Sequence, residues 1–140
     1  RIQSEFLEKW GPDEHVATIE IAKELSVSDK TIEYINCVGF SKACITRELS
    51  DLAYKIPLYA DMRVGPYGTV TLDTRLDDGT GRVGKANNKT GDYMKAKDQM
   101  SCLKDIELEI FEAADVIVPT DITDETIEAP MAELLTVNIL

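Results

Sequence analysis

The sequence is poor in the residues that carry most enzyme chemistry. It has one histidine, His15, so no two-histidine metal site can form and a nucleophile–histidine pair has a single candidate base. Its three cysteines, Cys37, Cys44 and Cys102, lack close metal spacing. Their odd number predicts reduced thiols in a cytosol-like compartment, each serving as a small buried hydrophobe. There is no run of about twenty apolar residues, so no membrane-spanning helix is expected. No signal-peptide pattern opens the chain, and it begins on Arg1 rather than Met, which predicts trimming, processing or an incomplete chain. The location expected from these features is cytoplasm or a virion, not secretion through a visible signal.

What is present suits a globular chain. The 140 residues are 44% apolar, enough for one domain over 1–140 that stands without metal or disulfide support. The net charge of −11 is uneven. Residues 1–40 carry four basic and eight acidic side chains, 41–100 carry ten and eight, and 101–140 carry one and ten. The acidic end would repel nucleic acid and anionic membrane while offering a surface to a basic partner.

Patterning divides the chain near Pro57 into a helical half (1–57) and a mixed β/α half (58–140). Ser4–Trp10 reads as a short helix capped by Ser4, with Trp10 as a core anchor, stopped by Gly11-Pro12. A second helix follows Asp13-Glu14, with Val16, Ile19, Ala22 and Leu25 at helical spacing. Gly39 stops a third, and Ser41 caps a fourth whose stripe of Cys44, Ile45, Leu49, Leu52, Ala53 and Ile56 ends before Pro57. Beyond Pro57, Leu58, Ala60, Met62 and Val64 alternate with other residues, Gly65-Pro66-Tyr67-Gly68 turns the chain, and Val70, Leu72, Thr74 and Leu76 alternate again. This predicts a hairpin with Tyr67 at its tip, then a turn at 77–81, a third strand near Arg82–Ala86 and a polar loop over Asn87–Asp92. Tyr93–Leu103 favours a helix, 105–114 fits either helix or strand, Val116–Val118 reads as a buried strand, Asp121–Glu128 as a turn or short helix broken before Pro130, and Leu134–Leu140 as a closing strand. The fold class expected is α+β: an N-terminal cluster of short helices, then a β-hairpin or meander, a further helix and C-terminal strands.

Within 18–37, Ile21, Ala22, Leu25, Val27, Ile32 and Ile35 stand where a helix-turn-helix places its internal apolar residues, with Ser26-Val27 as the turn and Ser28 as cap of the second helix. The segment resembles that family, with Ser26 where the family usually has a left-handed Gly. The resemblance implies a recognition helix presenting Ser28, Lys30 and Tyr34 to nucleic acid. Asp29 and Glu33 sit on the same face, so its charge opposes a polyphosphate.

Other motifs fall short of their chemistry. Residues 79–86 approach the phosphate-binding loop of P-loop nucleotidases, but Ala86 replaces the magnesium-holding hydroxyl and no buried strand precedes it. Asp73, Asp77 and Asp78 do not match a calcium loop, and Asn88-Lys89-Thr90 is a glycosylation sequon in a chain expected to keep its thiols. His15, beside Asp13 and Glu14, reads as a solvated surface residue. Glu107, Glu109, Glu112 and Asp115 read as a solvated acidic face rather than an acid–base pair. No catalytic, cofactor-binding or metal residue is therefore expected. The function expected is a non-enzymatic structural or assembly subunit, oligomeric through protein contacts at Pro66, Tyr67, Arg82 and Lys85, within a larger complex such as a viral or phage particle. The alternatives are a helix-turn-helix DNA-binding protein and an acidic inhibitor that imitates DNA.

Overall fold

The computed structural model describes residues 2–77, 90–115, 117–134 and 136–137, with side chains from Ser4 onward and, in the second of these stretches, from Lys95. Within them the chain is mostly helical, with one two-stranded antiparallel sheet. Helix α1 (Ile2–Trp10) precedes α2 (Glu14–Glu24), which starts where Asp13 accepts from the amides of His15 and Val16 at 3.0 Å each. Ser4 lies inside α1 rather than capping it. Trp10 is half-buried under the Lys9 ammonium, 4.1 Å from its ring, and stands outside the main core. α3 (Asp29–Cys37) begins where Ser28 accepts from the Thr31 amide at 3.1 Å. The bend before it turns on Ser26, whose φ of 56° is left-handed, a conformation that costs an L-residue about 1–2 kcal/mol.

The helix expected from Ser41 to Ile56 is broken. A 3-10 turn at Phe40–Lys42, which includes Ser41, leads to α4 (Ala43–Arg47), and a fresh cap at Asp51, accepting from the Ala53 amide at 2.8 Å, opens α5 (Leu52–Met62). α5 runs through Pro57 instead of ending before it. Lys55, Leu58, Tyr59 and Met62 are buried along one face while Ala60 is exposed, so the apparent alternation of 58–62 is one side of a helix, and Val64, also exposed, lies past its end. Proline inside a helix removes a hydrogen bond and costs about 3 kcal/mol, and the burial of that face compensates.

The hairpin survives as a much smaller element. β1 (Val64–Gly65) pairs antiparallel with β2 (Gly68–Thr69), the turn falling at Pro66-Tyr67. The second long strand is replaced by a helical turn, α6, over 72–77, capped by Thr71, whose hydroxyl accepts from the Thr74 amide at 3.2 Å and whose carbonyl accepts from the Arg75 amide at 3.0 Å. Leu72 and Leu76 are buried four residues apart, and Thr74 between them is exposed. The third strand expected at Arg82–Ala86 lies outside the described residues, and the polar loop expected over Asn87–Asp92 is already helical from Thr90.

α7 (Thr90–Ala114) is the longest element and resolves the ambiguity of 105–114 as helix. Cys102, Leu103 and Ile106 are buried on its inner face against Ala43, Leu58, Tyr59, Met62, Leu72 and Leu76. The expectation of reduced thiols fails for two of three cysteines. Cys44 of α4 and Cys102 of α7 form a disulfide, their Cα atoms 5.0 Å apart, and Cys37 remains a free thiol. Helix packing brings the two together across 58 residues of sequence, a proximity that no local spacing announces.

α7 ends at Asp115, which adopts a left-handed φ of 61°. The buried strand expected at Val116–Val118 is not observed for Ile117 and Val118, which belong to no strand and are about half exposed, at 42% and 53%. A 3-10 turn at Pro119–Asp121 leads into α8 (Asp124–Leu134), capped by Thr123 and continuous through Pro130. Leu134, expected to open a strand, ends this helix, and 136–137 are not strand. No helix among the described residues is long and apolar enough to cross a membrane.

Candidate functional site

The region around the hairpin brings together four separate parts of the sequence, and Arg63 joins them. Arg63 is buried, at 4% exposure, directly after α5. Its Nε donates to the Val70 carbonyl at 2.5 Å, its Nη1 to the Tyr59 hydroxyl, and its Nη2 to the carbonyls of Pro119 and Ile122 at 3.0 Å each. Tyr59 passes the interaction on by donating to Glu107 Oε1 of α7 at 2.7 Å. Burial first, and then the Glu107 carboxylate, push the Tyr59 hydroxyl well above its ordinary pKa, so it stays a proton donor, while Arg63 acts in the opposite direction. The guanidinium thus offsets its burial with several oxygens and fastens the hairpin to the segment entering α8.

A second clamp lies beside the first, at the neighbouring residue Thr69. Asp124, the first residue of α8, accepts from the Thr69 amide at 2.7 Å. Hydrogen bonds from Thr69 hold its carboxyl below the usual aspartate value. Gly68 permits this approach, because its φ is 125° and a Cβ there would lie 2.3 Å from Asp124 Oδ2. At the turn of this fastened hairpin Pro66 and Tyr67 are exposed, Tyr67 fully so at 100%. Of the contact residues expected from sequence, these two are therefore presented together, whereas Arg82 and Lys85 lie outside the described residues.

Next to this hairpin base, α7 and the following segment form an open groove of about 810 Å³. Leu108, Phe111, Ile117 and Val118 supply its apolar wall, and Glu107, Glu112 and Asp115 line its edge. Asp73 across the groove is paired with Lys104 at 2.6 Å, which raises the lysine pKa. Among the described residues no cation pairs with Glu112 or Asp115. The remaining carboxylate of the acidic stretch, Glu109, faces the other way and pairs with Lys55, a buried ammonium.

The residues singled out for nucleic acid are occupied within the molecule. Lys30 donates to Tyr54 of α5 and lies 3.2 Å from Glu33, while Tyr54 donates to Glu33 at 2.7 Å. The hydrogen bond from Tyr54, followed by that from Lys30, lowers the Glu33 pKa, and the hydrogen bonds to Tyr54 and then to Glu33 raise that of Lys30. Tyr34 meets Tyr54 edge to face at 5.0 Å, and Ser28 is engaged as the cap of α3. Of the six internal apolar positions of 18–37, Ala22 is buried and Ile21, Val27, Ile32 and Ile35 are partly buried, but Leu25 is 72% exposed. His15, expected in solvent, is half-buried, and its Nε2 is enclosed without a hydrogen bond.

Sequence reasoning missed Tyr59 and Asp124, and it counted Arg63 only among the basic residues that a DNA-binding reading would set on phosphate, whereas Arg63 is buried and engaged within the molecule. An arginine between Met62 and Val64 is a weak sign of a buried guanidinium, and nothing local marks Asp124 as the partner of Thr69. No protein-family model matches the chain, and searches of curated proteins and of solved structures returned no match either.

Proposed function

We propose that this chain is a non-enzymatic subunit of a larger assembly that acts through protein contacts. The observation that carries the reading is Tyr67, fully exposed on a hairpin whose β2 end is fastened by Arg63 at Val70 and by Asp124 at Thr69. A bulky aromatic side chain held in water on an anchored projection loses little conformational freedom when a partner covers it, and such residues dominate interface energetics. Additional support comes from the amount of apolar surface left open. Among the described residues fourteen large hydrophobic side chains are exposed, against eleven hydrophobic residues buried, and Met131 and Leu134 of α8 are among the exposed.

A viral or phage particle is the setting we favour. Disulfides persist on virions and in oxidising compartments and are rare in a reducing cytosol, so the Cys44–Cys102 bond supports the particle over the cytoplasm. Sedimentation velocity across a concentration series tests the assembly reading. Wild type is expected to associate and Tyr67→Asp to sediment as a smaller species. A monodisperse monomer at every concentration, with no partner co-purifying under native conditions, would remove it.

DNA binding through 18–37 has weaker support, because Lys30 and Tyr34 are engaged with α5 and two acidic residues share the face. A mobility shift that weakens with salt and is lost in Lys30→Glu would restore that reading.

A further inference from the structure

We infer that the groove beside α7 docks a cationic, amphipathic segment of a partner protein, in which Lys or Arg alternate with side chains the size of Leu or Phe. This deepens the assembly reading by giving one face of the subunit a partner chemistry. Two independent properties of the groove select that chemistry. Its wall is apolar and open to water, with Leu108 60% and Val118 53% exposed, a state that covering by hydrophobic side chains relieves. Its edge carries Glu112 and Asp115 with no cation paired to them among the described residues, beside Glu107, which accepts from Tyr59, while the groove's Lys104 is taken by Asp73.

The volume, about 810 Å³, accommodates a few side chains rather than a folded domain, which suits a short segment. A second copy of this chain is the poorer occupant, since it brings a net charge of −11 against another −11. The surrounding acidity, ten acidic and one basic side chain over 101–140, would speed capture of a basic partner, while the apolar wall would set its residence.

Three synthetic peptides of one length test the proposal on the disulfide-intact full chain by calorimetry and amide chemical-shift mapping. The first has an amphipathic Lys/Leu pattern, the second the same pattern in Glu/Leu, and the third the same lysines with Ser for Leu. The Lys/Leu peptide is expected to bind, with shifts centred on Leu108, Phe111 and Ile117, and the other two to bind at least about tenfold more weakly, as loss of a buried leucine or of charge attraction would give. Leu108→Ser, at an exposed position, is expected to weaken Lys/Leu binding about tenfold without changing the fold. Glu112→Gln with Asp115→Asn should weaken it and flatten its salt dependence, Asn being tolerated at a left-handed φ. Equal binding of the Lys/Ser peptide, shifts spread along Glu125–Glu133, or an unchanged affinity in Leu108→Ser would each overturn the groove. A monomer with no co-purifying partner that still captures the Lys/Leu peptide in the groove would keep this inference while removing the assembly reading.

Discussion

The packing of α4, α5 and α7 and the end of the molecule built from the hairpin, residues 117–122 and α8 are held by different forces. In the first, Leu58, Leu103 and Ile106 are fully buried and a disulfide ties α4 to α7. In the second, no residue of α8 is buried, and the contacts that fix it are polar: Arg63 to the Pro119 and Ile122 carbonyls, Asp124 to Thr69, and the Thr123 cap. Hydrophobic burial supplies stability without direction, whereas hydrogen bonds supply direction with little net stability. The polar end is thus oriented while apolar side chains such as Met131 and Leu134 stay exposed.

The largest effect should come from opening the packed region. Cys44→Ser removes a cross-link that closes 58 residues, a chain-entropy loss of about 4 kcal/mol, to be read as a fall in the denaturant midpoint. A loss under about 1 kcal/mol would mean that burial alone holds α4 to α7. Next, Arg63→Met should cost about 2 kcal/mol by leaving buried carbonyls unsatisfied, and it should speed hydrogen exchange at Thr69 and Val70 ahead of Leu103. Equal acceleration at all three would erase the distinction between the regions.

A third change acts on neither region and serves as their reference. Ser26→Gly should stabilise the protein by up to about 1 kcal/mol, because glycine adopts a φ of 56° without strain. The smallest effect is a titration. Asp124 has its folded pKa below the ordinary 3.8, so its contribution is complete above 3.8 and is lost as pH falls through the lower folded value. The Thr69 amide shift should therefore titrate with a midpoint below 3.8 while core amides stay still. A midpoint at or above 3.8 would show that the carboxylate does not hold the hairpin.

The parts of the fold legible in the sequence are those that local chemistry decides. The Ser28 cap, the left-handed bend at Ser26, the stop at Gly39 and the turn at 65–68 each follow from a few adjacent residues. The strands expected over 58–64 and 70–76 were illegible for a definite reason. Residues four apart share a face in both a strand and a helix, so Leu58 and Met62, or Leu72 and Leu76, fit either period. The residue between them decides, and the exposure of Ala60 and Thr74 selects the helix. The candidate site divides in the same way. Tyr67 could be read from its turn, but the buried guanidinium that anchors it answers to carbonyls up to 59 residues away.

By itself, then, the sequence determined bends at Ser26 and 65–68, how charge is distributed along the chain, and the helix starts at Asp13 and Ser28, since these depend on φ preferences and on hydrogen bonds made within a turn. Only the tertiary structure decided that α5 and α8 continue through proline, that Cys44 meets Cys102, and that Arg63 joins the hairpin to the entry of α8. Those outcomes depend on which surfaces are buried against each other, and that is a property of the packed chain rather than of any stretch of it.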